Sequence, residues 1–139
     1  MYYLIYISTA IKLMSEKELS DILIKSQINN LKNNITGMLL YAQGTFIQVL
    51  EGEEEQVNNT YKVITGDKRH KNLIELISGP LDDRVFPEWT MGFVTLHPEK
   101  LKELVGYINP ENKILKDTAP HQAITILKTF AETNKLTGI

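Results

Sequence analysis

The chain contains no cysteine. Disulfides, thiolate metal sites and thiol nucleophiles are therefore excluded. Histidine is scarce, and the three present, His70, His97 and His121, show no metal-ligand spacing. No serine or carboxylate pair falls in a recognisable hydrolytic motif, and no glycine-rich loop is available to cradle a phosphate. Neither sign of charge dominates: fifteen basic against seventeen acidic residues leave a net −2, which gives nucleic acid or an anionic membrane no electrostatic footprint. No apolar run reaches the about 20 residues of a membrane-spanning helix. Met1 to Ser8 is apolar but too short and too uncharged for a signal peptide. The glycosylation patterns Asn34-Ile35-Thr36 and Asn58-Asn59-Thr60 carry no meaning without secretion. A cytoplasmic protein is the expectation.

What is present is the make-up of one ordinary soluble domain: 139 residues, 42% hydrophobic and 23% charged. Strands and helices alternate along it. Tyr3 to Ser8 reads as a strand, and the capping-box spacing Ser15-Glu16-Lys17-Glu18 opens a helix that carries Leu19, Ile22, Leu23 and Ile28 to about Asn29–Leu31. Ile35 to Tyr41 and Thr45 to Glu51 read as strands joined by the short turn Ala42-Gln43-Gly44, hence an antiparallel hairpin. Glu53, Glu54 and Glu55 favour the positive end of a second helix, with Val57, Tyr61 and Ile64 as its inner stripe and Gly66 past its end. Leu73 to Ile77 and Thr90 to Leu96 supply two more strands around the break Gly79-Pro80. The order βαββαββ implies an α+β, ferredoxin-like sandwich, with two helices on one face of a mixed five-stranded sheet. In the tail, Pro98 to Leu104 reads as a short helix, 109–119 as a polar linker, and Pro120 to Lys135 as a helix carrying Ile124, Leu127 and Phe130. These C-terminal helices suit either a cap on the free sheet face or an interface.

One residue breaks the pattern. Phe46, Gln48 and Leu50 share a face of the third strand, so Gln48 puts an amide where a core side chain is expected. A buried amide without partners costs about 1–3 kcal/mol. Satisfaction by backbone or water is the commoner arrangement, and contact with a ligand is the alternative. With the first strand beside the third, Tyr6 and Gln48 become neighbours; Leu4, Tyr6 and Ser8 share a face of the first strand and Trp89, Met91 and Phe93 a face of the fifth, so phenol, amide, indole and thioether can converge on the helix-facing side of the sheet. Tyrosine, tryptophan and methionine are also ordinary core fillers. Asn29 and Asn30 end the first helix, where asparagine usually caps or turns the chain. Asp67-Lys68-Arg69-His70 reads either as a solvated charged loop or as an anion contact through Arg69.

The segment Ser26 to Gly52, SQINNLKNNITGMLLYAQGTFIQVLEG, closely resembles the flavin-binding heart of BLUF domains, blue-light sensors that use FAD. Leu4-Ile5-Tyr6-Ile7-Ser8 is similar to that family's first strand, Asp67-Lys68-Arg69-His70 to its post-helix motif, and Phe86-Pro87-Glu88-Trp89-Thr90-Met91 to its late aromatic motif. The blocks stand in the right order and at the right spacing. The short tail resembles the stand-alone PixD type, which carries no enzymatic output domain. The resemblance implies a flavin-binding domain over 1–96 and a C-terminal helical extension over 97–139 for capping, oligomerisation or output. It implies FAD as cofactor, with FMN or riboflavin as stand-ins in recombinant protein. Tyr6 and Gln48 match the photochemical pair, and Asn30 matches the asparagine on the flavin ring edge, with Asn29 and Ser26 accessory. Asp67, Arg69 and His70 match positions near the ribityl and phosphate portion, Ile24 matches an apolar wall of the flavin site, and Trp89 and Met91 match the signal relay.

The activity so implied is non-covalent photosensing without enzymatic turnover, which suits a chain lacking the cysteine for a flavin adduct. Light-driven electron transfer from Tyr6, with proton movement through Gln48, leaves the amide rotated or tautomerised. The change passes through the fifth strand and the C-terminal helices to a homo-oligomer or a protein signalling partner, with neither nucleic acid nor membrane involved. Two rivals share the fold: a light-independent module that binds a small molecule, and a flavin-dependent or acylphosphatase-like enzyme. The latter needs an anion-binding arginine after the first strand, and Thr9-Ala10-Ile11-Lys12 supplies none.

Overall fold

A computed structural model describes residues 1–42, 44–87, 92–95, 125–127 and 129–130, with backbone alone at 16 and 92–95. The elements are β1 (Tyr2–Ala10), α1 (Glu16–Lys32), β2 (Thr36–Ala42), β3 (Thr45–Gly52), α2 (Glu54–Thr65), β4 (His70–Pro80) and β5 (Gly92–Thr95). Strands lie in the order β4-β1-β3-β2-β5. The first four form an antiparallel α+β, ferredoxin-like body, and β5 pairs parallel to β2.

Local chemistry sets the boundaries. Ser15 caps α1 through the full box, its hydroxyl accepting from the Glu18 N–H at 3.2 Å while the Glu18 carboxylate accepts from the Ser15 N–H. The β2–β3 hairpin turns on Gly44, whose φ of +86° a side chain would strain. Gly52 is fixed by space: a Cβ there would lie 3.0 Å from the Asn34 carbonyl oxygen. Gly66 ends α2 at φ −86°, in the right-handed region, so the helix closes without the left-handed turn that a glycine at this place suggests.

Alternation along the strands divides the core in two. Leu4, Tyr6, Leu39, Phe46 and Leu50 face the helices, where Leu19 and Leu23 of α1 and Val57 of α2 cover them. Ile5, Met38, Leu40, Ile47 and Val49 face the other way, under Leu81 and Phe86 of the segment after β4. Leu127 and Phe130, on helical residues of the tail, are buried in this second layer. The rest of the C-terminal extension lies outside the described residues.

β4 runs well beyond the expected Leu73–Ile77. Its flanks, His70-Lys71-Asn72 and Ser78-Gly79-Pro80, have little strand propensity, yet pairing with β1 carries them through two register shifts. Pro80 is tolerated because it sits at the end of an edge strand.

Candidate functional site

β1 and β3 place Tyr6 directly opposite Gln48, and β2 places Leu39 on the other side of the glutamine. Both polar side chains are nearly sealed, at 3% and 4% exposure. The Tyr6 hydroxyl donates a short hydrogen bond to Gln48 Oε1. Burial pushes the Tyr6 phenol well above the ordinary tyrosine range, reinforced by Tyr61 and Asp67. The phenol is thus a neutral donor with a fixed acceptor. Tyr61 of α2 leans on its ring, centroids 5.3 Å apart, and His70 meets it edge-on at 6.3 Å.

His70 is committed on both nitrogens. Its Nε2 lies 2.8 Å from the Ile64 carbonyl, which only accepts, so Nε2 carries the proton. In the neutral ring Nδ1 then accepts from the Ser8 hydroxyl at 2.9 Å. One imidazole so ties β4 to β1 and to the end of α2, and it offers its ring rather than a spare nitrogen to its surroundings.

A cleft with about 460 Å³ of empty space, part of it open to solvent, lies against this pair. Ile22, Leu39, Phe46 and Ile64 give it apolar walls, and Ser26, Gln48, Asp67 and Arg69 give it polar ones. At the rim Arg69 donates from Nε to both Asp67 oxygens, at 3.0 and 3.1 Å, and from Nη2 at 2.5 Å. These side-chain bonds, the largest influence, hold the Asp67 carboxyl down to about 2 and raise Arg69. The loop is therefore an internally paired clasp, and an anion seeking Arg69 competes with Asp67 for it.

Of the site residues expected from sequence, Tyr6, Ser26, Gln48, Asp67, Arg69 and His70 line the cleft. Ile24 does not. It is 43% exposed and stands two residues, about 200° of helix, from Ile22, which takes the wall position. Ile22 precedes Ser26 by four residues, the spacing of one helix face, and that was the signal for it. Asn30 is buried and Asn29 exposed, both one turn past Ser26 and neither on the cleft lining. Trp89 and Met91 lie outside the described residues. For Tyr61 and Ile64 the sequence alone indicates only a place in the core stripe of α2. Among the described residues no cluster of three or more histidines and carboxylates offers a metal site, and no helix is long and apolar enough to cross a membrane.

Residues 1–92 match the family described as BLUF, sensors of blue-light using FAD. The chain is 35% identical over 128 residues to the photoactivated adenylate cyclase subunit beta of Euglena gracilis, a match covering 91% of this chain and 14% of that protein. The alpha subunit from the same organism is 42% identical over 83 residues, covering 60% of this chain and 8% of its own length. The chain thus spans only a small part of these relatives. Among solved structures, a bacterial light-regulated adenylyl cyclase matches at TM-score 0.66 with 34% identity, over 98% of this chain and 34% of that one. BlrB, a BLUF protein in its dark state, matches at TM-score 0.68 and 26% identity over 95% and 96% of the two chains. Klebsiella pneumoniae BlrP1 with FMN and cyclic diGMP matches at TM-score 0.74 and 25% identity over 93% and 34%.

Proposed function

Because the chain belongs to the BLUF family of blue-light sensors that use FAD, we propose that its cleft is the flavin site and that the Tyr6–Gln48 bond is its switch. The observation that carries this reading is the buried phenol–amide hydrogen bond on the cleft wall. The lining suits the cofactor: apolar Ile22, Leu39 and Ile64 for a flat ring, amide and hydroxyl groups at its edge, and a rim cation for the phosphates. Ser26 and Gln48 would hold the ring edge, with Asn29 and Asn30 beyond them, and Asp67 and Arg69 would meet the ribityl and phosphate portion.

Bound flavin supplies absorption of blue light and, once excited, a one-electron oxidant. The chain's own groups do the rest. Tyr6 has a raised pKa, so it keeps its proton until an electron is withdrawn, and then the proton's fixed outlet is Gln48 Oε1. When the electron and the proton return to Tyr6, the amide is left rotated or changed in tautomer. Its donor and acceptor ends are nearly isosteric, so the exchange of hydrogen bonds costs little space. Low local polarity makes that exchange energetically large. Leu39 and Phe46 keep water from short-circuiting it.

In this reading the chain is an input module with no turnover of its own, located in the cytoplasm, and it signals through a five-stranded sheet, Trp89, Met91 and the C-terminal helices. A homo-oligomer or a protein partner receives the signal. The test is the visible spectrum of the FAD-loaded protein before and after blue light. A small red shift that recovers in darkness is expected. A flavin spectrum that only bleaches, or no uptake of FAD, would overturn the proposal.

A further inference from the structure

A second buried polar cluster lies on the far side of the sheet, and the photochemistry does not use it. Glu51 sits three residues beyond Gln48 on β3 with its side chain turned to the opposite face, completely buried. Burying a carboxylate is costly unless donors surround it. Here Oε1 accepts from the Thr36 hydroxyl at 2.8 Å and the Phe86 N–H at 2.7 Å, while Oε2 accepts from the Val85 N–H at 2.8 Å. Arg84 does not touch the carboxylate. It donates to the Thr36 oxygen at 2.8 Å, to the Glu51 backbone carbonyl at 3.1 Å and to the Asn34 carbonyl at 2.8 Å, so its charge reaches Glu51 through a hydroxyl.

This arrangement ties three pieces of chain to one side chain. Thr36 stands opposite Glu51 in the β2–β3 ladder, and Val85 and Phe86 belong to the segment that leads from β4 toward β5. Phe86 is itself a fully buried member of the far-side core. Gln48 and Glu51 are about 10 Å apart along a single extended strand. A shift of β3 at Gln48 would reach Glu51 along one strand, with no turn or loop between them, and would alter these three hydrogen bonds.

Resting on the photosensor reading, we infer that Glu51 is a positioning residue of the light response, converting movement of β3 into movement of the 84–86 segment on the opposite face. A purely structural anchor would leave the carboxylate's surroundings the same in darkness and light. The two roles differ in what light does to the Glu51 bonds.

The test uses the full FAD-loaded chain. Its light-minus-dark infrared difference spectrum should contain a carboxylate stretching pair that disappears in Glu51→Gln while the visible red shift of that variant persists. In the unaltered chain, which avoids any folding defect of the variant, amide hydrogen exchange at Val85 and Phe86 should change several-fold on illumination. A visible red shift accompanied by no Glu51-dependent band, or by unchanged exchange at both amides, overturns this inference and leaves the photosensor reading intact. No red shift from the unaltered chain overturns the photosensor reading itself, and this inference with it.

Discussion

The two faces of the sheet bury polar side chains for opposite ends. On the helix face, Tyr6 and Gln48 share one hydrogen bond beside an open cleft, with Ser26 and the Asp67–Arg69 clasp around it. On the far face, Glu51 is saturated by three donors and roofed by Phe86, away from that cleft. An amide whose two ends are interchangeable, set at the edge of a cavity, can reverse its donor and acceptor there. A carboxylate that only accepts, held by three donors, can pass a movement on but cannot reverse its bonding. Burial alone therefore does not mark a switch; the freedom to exchange partners does.

That contrast can be broken at its strongest point first. Gln48→Leu should retain FAD and lose the light-induced red shift entirely; a normal shift in this variant would remove the helix face from the photochemistry. On the far face, Leu127→Ala should cost about 2–5 kcal/mol of unfolding free energy in urea, as for a fully buried leucine, and leave the red shift in place. The cleft wall is tested by a pair of substitutions. Ile22→Ala should weaken FAD binding by about 1 kcal/mol, roughly fivefold in Kd by fluorescence titration, whereas Ile24→Ala should change it by less than about twofold. If the two variants behave alike, the helix presents a different face to the cofactor. The smallest effect belongs to the rim. The Asp67 pKa is depressed from 3.8 to about 2, so its contribution to stability is present above the unfolded value and is lost as pH falls through that window. Both partners are about one-third exposed, so Asp67→Asn should alter the change in unfolding free energy between pH 5 and pH 2 by no more than about 0.5 kcal/mol.

Much of the helix face was legible in the sequence because it is written in alternation. Gln48 stood out against Phe46 and Leu50, the serine–glutamate spacing announced α1, and the hairpin set β2 against β3. Ile24 falls off the cleft lining for a local reason: a two-residue offset keeps a strand side chain on the same face but moves a helical one to the opposite surface. The far face was less legible. Glu51 reads as the polar end of a strand, because nothing local shows that Val85 and Phe86, more than thirty residues later, bring their N–H groups to it. Only the middle of β4 is marked by propensity, since its ends owe their strand state to β1 and propensity carries no record of a pairing partner.

The order β4-β1-β3-β2-β5 has a kinetic consequence. β4 and β5 stand at opposite edges of the sheet, so the chain between them crosses the full width of four strand spacings, about 19 Å, before β5 can dock. β2 and β3 close through a hairpin turn, a local contact that forms early, whereas β5 waits for its predecessor to settle at the far edge and for the crossing to be made. The amides of β5 should therefore be the earliest in the sheet to exchange with solvent.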